Sequence, residues 1–258
     1  MDVGAMFSQA MGGFSLETIM KNNDISRRTQ RHLAAVYRNL FYASLFATLG
    51  AIAQLNYDLD GLLVRFGLLG LTVWLSVSTR PEKDRQMMFA GVAALSGITT
   101  GSLVEIALAV DPAIVVAAVG STAAIFGCLS YAALSSPRRS YFYLAGLISS
   151  ATTVFLGLSV ALWFFPSRSV DMYAMHLYFS LACFLGYVIL DTQVIIERSE
   201  TSPASADVVR DSLKLFLDLA AILQRIIVVM LRNSQRRDER RDRDRRSRGT
   251  YARAGRAW

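Results

Sequence analysis

Asp191 and Asp218 stand where an aspartate is costly. Asp191 closes the apolar run His176-Leu-Tyr-Phe-Ser-Leu-Ala-Cys-Phe-Leu-Gly-Tyr-Val-Ile-Leu190, and Asp218 lies inside Leu215-Phe-Leu-Asp-Leu-Ala-Ala221. A carboxylate placed in hydrocarbon costs at least ~2.5 to 3.5 kcal/mol. Two of them on neighbouring apolar segments point to a site that handles protons or cations. If the two approach each other they cannot both be charged cheaply, so they share a proton and titrate as a unit. Calcium is a hard cation that prefers carboxylate and carbonyl oxygens. The pair Asp191 and Asp218 is therefore a candidate pH-sensing, ion-gating site and a place where a calcium ion could bind transiently.

The last apolar segment carries more than one charge. Asp211, Asp218 and Arg225 recur every seven residues, and Lys214 falls between the first two. On a helix all four share one stripe, drifting about 20° per heptad. The opposite side is Leu, Ile, Val, Phe and Ala. Such a stripe must face protein or water, not lipid. Salt bridges of Lys214 with Asp218 or Asp211 are the alternative use of these residues. Glu105, in Gly101-Ser-Leu-Val-Glu-Ile-Ala-Leu108, either lines a path or reaches the interface at the nearby Val110-Asp-Pro112 turn. Arg38 and Arg65 are near enough to segment ends to snorkel, and Arg65 has a second option in pairing with an aspartate. Glu105, Lys214, Asp211, Arg225 and Arg65 are thus the charges available to line or tune a path.

The elements that must position these side chains follow from composition. Of 258 residues, 53% are hydrophobic and only 18% charged, with many of the charges gathered near the C-terminus. What precedes them is too apolar for an ordinary soluble domain. Seven apolar stretches, each about long enough to cross a ~30 Å core, run over 33–55, 61–78, 86–110, 112–134, 141–165, 172–196 and 208–231. Pro81, Pro112, Pro137, Pro166 and Pro203 fall between stretches or at the first turn of one, where a missing N–H costs least. Short loops predict antiparallel hairpins, and small-residue runs such as Gly91-Val-Ala-Ala-Leu-Ser-Gly97 predict close helix packing. The fold class is all-α, a polytopic membrane bundle of seven hydrophobic helices. Residues 1–31 form a polar N-terminal segment, 32–232 the membrane domain and 233–258 a basic, solvated, disordered tail. The first span is expected to act as the targeting signal, since no basic stretch leads directly into an apolar run before it.

Basic residues set the orientation. Arg27, Arg28 and Arg31 precede the first span, Arg80, Lys83 and Arg85 follow the second, and Arg138 and Arg139 follow the fourth. The intervening loops carry Asp58, Asp60, Asp111 and Asp171, with Arg168 as their base. The N-terminus is then cytosolic. Seven full spans would put the arginine-rich tail on the far side; six spans and a re-entrant last segment would keep it in the cytosol. Four acids among the tail arginines, Asp238, Glu239, Asp242 and Asp244, blunt its field, so nucleic acid is not an expected partner. Cys128 and Cys183 lie in apolar runs and read as buried apolar fillers. His32 and His176 read as interfacial residues, and no metal-ligand spacing is present.

Several stretches together resemble the Bax inhibitor-1 family, the transmembrane Bax-inhibitor-motif proteins. They are His32-Leu-Ala-Ala-Val-Tyr37 with Leu49-Gly-Ala51, Ala109-Val-Asp-Pro-Ala-Ile114, Arg138-Arg-Ser-Tyr-Phe-Tyr-Leu-Ala-Gly146, Leu190-Asp-Thr-Gln-Val-Ile-Ile-Glu197 and Leu213-Lys-Leu-Phe-Leu-Asp-Leu219. The resemblance runs in order from about residue 30 to 235. It implies two three-helix layers around a central C-terminal helix. It also implies a multi-pass endoplasmic-reticulum protein that suppresses stress-induced cell death, with a pH-sensitive calcium leak controlled by an aspartate pair that Asp191 and Asp218 match. Calcium enters as the permeant ion and no cofactor is implied. Membrane lipids are partners, and calmodulin or cell-death regulators are partners of the tail, although this tail is arginine-rich where the family's is commonly lysine-rich. Two other readings stay open: a non-conducting scaffold for cell-death or calcium regulators, and a proton-coupled transporter. An aspartyl protease would need a glycine ahead of its second aspartate so that a peptide backbone can approach; Leu215-Phe-Leu217 stands there, and no enzyme is expected.

Overall fold

The computed structural model describes residues 26–135, 140–164, 170–202 and 206–254, and every regular element in it is a helix. We label them α1 (Arg27–Tyr57), α2 (Leu62–Val77), α3 (Glu82–Val110), α4 (Pro112–Ser135), α5 (Ser140–Phe164), α6 (Val170–Thr201) and α7 (Val208–Ala254). Six of the seven match the apolar stretches closely. Pro137, Pro166, Pro203, Arg138, Arg139 and Arg168 lie outside the described residues.

Local chemistry fixes the helix ends. The Ser26 hydroxyl accepts from the Thr29 N–H at 3.2 Å and starts α1. α1 stops at Asp58, whose φ of 47° is left-handed and whose N–H returns to the Gln54 carbonyl. Glu82 and Asp84 place negative charge in the first turn of α3. Asp111 accepts from the Ala113 N–H at 2.8 Å, with Pro112 opening α4. The Asp207 carboxylate caps α7 by accepting from the Val209 and Arg210 N–H groups.

α1, α2 and α3 form one layer and α4, α5 and α6 another. α7 touches α1 and α3 on one side, α4 and α6 on the other. The most charged segment is therefore the central one, because only there are its polar side chains kept from lipid. Its apolar residues Val209, Leu213, Leu215, Phe216, Ile222, Ile226 and Ile227 complete the core. The outer helices are the reverse. Leu75 is the one buried residue of α2, while Leu63 is 88% exposed and Phe66 67%. So much outward apolar surface belongs against lipid chains. Together with three helices long and apolar enough to cross on length and composition (α3, most of α4 and α6), this makes the chain a multi-pass membrane protein.

α1 and α3 meet backbone to backbone. A Cβ added at Gly50 or Gly97 would fall on the Ala94 or Ala47 carbonyl, and one at Gly101 would press on Gln54. This is the close approach that small residues allow in lipid. α7 is continuous, with no re-entrant turn. It meets Arg198 near its start and Ser180, 18 residues back along α6, through Arg225. It is still buried at Leu231, and the helix continues to Ala254. The basic stretch, which composition reads as disordered, is helical here. It has no proline or glycine before Gly249, and opposite charges recur three and four residues apart.

The packing of α1 on α3 and the course of α7 each predict an outcome. Gly97→Val separates α1 from α3 and lowers stability in detergent by about 2–3 kcal/mol. Gly120→Ala, whose added methyl meets open space, leaves the melting temperature unchanged. A full α7 crossing also places a reporter fused after Trp258 on the opposite side of the membrane from one fused ahead of Arg27. Protease protection of the two fusions in sealed vesicles reads this directly.

Candidate functional site in the α6–α7 seam

α6 and α7 run antiparallel, and their polar residues are in register. Arg198, Asp191 and Phe184 are spaced by heptads on α6; Asp211, Asp218 and Arg225 are spaced by heptads on α7. Numbers fall on one helix as they rise on the other, so three layers form. Arg198 Nη1 reaches Asp211 Oδ1 at 3.2 Å. Asp191 and Asp218 lie opposite each other, close enough for each carboxyl to act on the other. The Arg225 guanidinium lies 4.1 Å from the centre of the Phe184 ring.

The middle layer is the candidate site. Asp218 is 6% exposed, and its Oδ2 has no hydrogen-bond partner among the described residues. Asp191 is half-buried. Its position is held by the next two residues of α6. Thr192, fully buried, donates to the Val188 carbonyl at 2.7 Å, and Gln193 donates to the Ala133 carbonyl on α4. The first stays within α6; the second crosses to α4 and fixes the rotation of α6 at this level. Lys214 is half-buried and close enough for its charge to act on both carboxyls, yet it makes no ion pair among the described residues. Two carboxylates this close are stable only with a proton or a cation between them. The described residues bring no third metal-binding side chain to the pair. Calcium takes six to eight oxygens, so the pair suits a passing ion better than a resident one.

The other predicted residues divide. Asp211 is fully buried at the end where α1 begins, and it is shared by His32 Nε2 at 2.9 Å and Arg198. Of the alternative salt bridges of Lys214 with Asp218 or Asp211, neither is made among the described residues; Asp211 is paired by other bases. Arg225 donates to Ser180 Oγ and the Ala221 carbonyl, both at 3.0 Å. Arg65 is far from the pair. It binds Asp60 through Nη2 at 2.7 Å and Nε at 3.2 Å, and Ser102 adds a third bond to that carboxylate. Arg65 holds the Asp60 carboxyl below the usual carboxylate range. Glu105 is exposed on α3 and is not brought to the pair. Cys183 is buried as expected, but Cys128 is exposed, since it sits on an outward face of α4.

Sequence reasoning missed the clasp at the basic end. It treats His32 as a plain interfacial residue and singles out neither Arg198 nor the Arg85–Asp207 pair. These residues come from α1, α6, α3 and the start of α7, so only the topology brings them together. Asp211→Asn removes the carboxylate that His32 and Arg198 share and lowers stability by about 2–3 kcal/mol. Glu105→Gln on the exposed face stays within about 0.5 kcal/mol of wild type. Thermal unfolding in detergent compares the two.

The chain is similar to known proteins over most of its length. Residues 29–236 match the family described as "Inhibitor of apoptosis-promoting Bax1". The chain is 35% identical over 242 residues to "Bax inhibitor 1" of Oryza sativa subsp. japonica, covering 93% of this chain and 96% of that one. It is 34% identical over 238 residues to "Bax inhibitor 1" of Arabidopsis thaliana, covering 91% and 95%. It is 32% identical over 226 residues to "Bax inhibitor 1" of Homo sapiens, covering 86% and 94%. With the membrane bundle and the match over most of its length, the chain belongs to the Bax inhibitor family.

Proposed function

We propose that this protein resides in the endoplasmic-reticulum membrane and suppresses stress-induced programmed cell death through a pH-sensitive calcium leak gated by Asp191 and Asp218. What supports the reading is the pairing of two mutually acting carboxyls in a bundle core, one oxygen of which has no hydrogen-bond partner among the described residues. In the closed state one proton is shared between them. Once it leaves, two negative charges face each other across the α6–α7 seam, and the arrangement persists only by separating or by admitting a cation. Lys214 limits the charge that builds up, because it acts on both carboxyls. The protein does no covalent chemistry in this reading, and it needs no cofactor.

The transporter reading has less support. Transporter sites are typically built from broken helices, whereas α6 and α7 pass their aspartates without interruption.

The test is calcium flux into proteoliposomes of the purified protein from about pH 6 to 8, a range that a shared carboxyl proton can reach. Wild type is expected to show pH-dependent flux. Asp191→Asn and Asp218→Asn each place an amide opposite the remaining carboxyl, so each removes or fixes the response. A folded wild-type protein with no flux at any pH overturns the leak and leaves the scaffold reading.

A further inference from the structure

Resting on the leak reading, we infer that Arg225 is the charge-selectivity element of the pathway: a fixed positive charge on the α6–α7 seam, one heptad beyond the aspartate pair, that restrains divalent cations more than monovalent ones.

Arg225 is a cation without an anion. Its described contacts are the Ser180 hydroxyl, the Ala221 carbonyl and the Phe184 ring. No carboxylate pairs with it among the described residues, unlike Arg65, Arg85 and Arg198, each of which has one. Its charge is felt by His176 and Cys183 on α6. His176 is tied to Ser159 Oγ at 2.9 Å and stacked on Phe155, so it supplies no negative charge in return. A half-buried guanidinium is expensive to keep without a counter-ion. The hydroxyl, the carbonyl and the aromatic face are what make it tolerable. They leave its net charge uncompensated within the seam.

The placement gives that charge its role. Seven helical residues separate Arg225 from Asp218, about 10 Å along the axis. Both lie on the face of α7 that meets α6. A cation that leaves the pair along the seam, away from the Asp211 clasp, approaches this guanidinium. Repulsion scales with the product of the charges. At about 10 Å and an effective dielectric constant near 20 it disfavours a monovalent cation by about tenfold and a divalent one by about a hundredfold.

The experiment measures calcium and potassium flux in proteoliposomes of wild type, Arg225→Gln and Arg225→Lys, each shown to be monodisperse and of wild-type melting temperature or within a few degrees of it. Arg225→Gln is expected to raise potassium flux about tenfold and calcium flux about a hundredfold, while Arg225→Lys keeps the wild-type ratio. A variant that is merely loosened conducts both ions more by the same factor. That outcome overturns the inference, as does an unchanged ratio in Arg225→Gln or a failure of Arg225→Lys to keep the wild-type one. Absence of flux from folded wild type and from both variants overturns the leak reading and this inference with it. Flux in wild type that Arg225→Gln leaves unaltered overturns the inference alone.

Discussion

The fold is organised around the need to keep α7 out of lipid. Its first eighteen residues include Asp211, Lys214, Asp218 and Arg225. No lipid-facing position tolerates that set, since each charge facing hydrocarbon costs several kcal/mol. Placing α7 at the centre removes the cost but requires other helices on both sides of it. α1 and α3 supply one wall, α4 and α6 the other, and α2 and α5 complete the layers. The close approach of α1 to α3 at Gly50, Gly97 and Gly101 belongs to the same requirement. A wall around a polar helix has to be tight, because water and lipid headgroups compete for every gap.

Much of this was legible in the sequence, for identifiable reasons. A run of twenty apolar residues has few alternatives, so six of the seven helices fell where hydropathy put them. Prolines and caps such as Asp111-Pro112 marked their ends. α7 was the exception. Its charges made a re-entrant segment as reasonable as a crossing, because hydropathy judges a helix by its own residues while a bundle judges it by its neighbours. Gln224 reaching Thr100 on α3 and Arg225 reaching Ser180 on α6 are the contacts that make it a crossing. The helical course of the basic stretch was hidden for a related reason. Arginine-rich composition reads as disorder, but the same residues continue a helix that is already nucleated, and extension is cheap where nucleation is not.

The site was legible in part. Asp191 and Asp218 could be singled out because each is anomalous within its own segment. Their heptad partners could not, because register between α6 and α7 is a property of the pair. Arg198 at a helix end is ordinary in sequence, and it becomes informative only opposite Asp211. Arg65 takes the second of its two options, pairing with an aspartate, though not with one of the candidate site. It is anomalous in its segment, but Asp60 lies five residues away and satisfies it locally.

The three layers of the seam are unequal in how well their charges are met, and that inequality is the strongest physical argument for where function lies. At the basic end, Asp211 has two cationic partners and the α1, α6 and α7 ends are fastened. At the far layer, Arg225 has neutral partners of the right geometry but no counter-charge. Between them Asp218 faces a second carboxyl and has one oxygen without a hydrogen-bond partner among the described residues. A packing role would be served better by apolar side chains of similar volume, which often match or exceed a buried ionic group in stability. Local rules are broken where something other than stability is being served. The fastened layer holds three helices together at one end. The unsatisfied layer is the place where adding or removing one proton changes the balance of forces most.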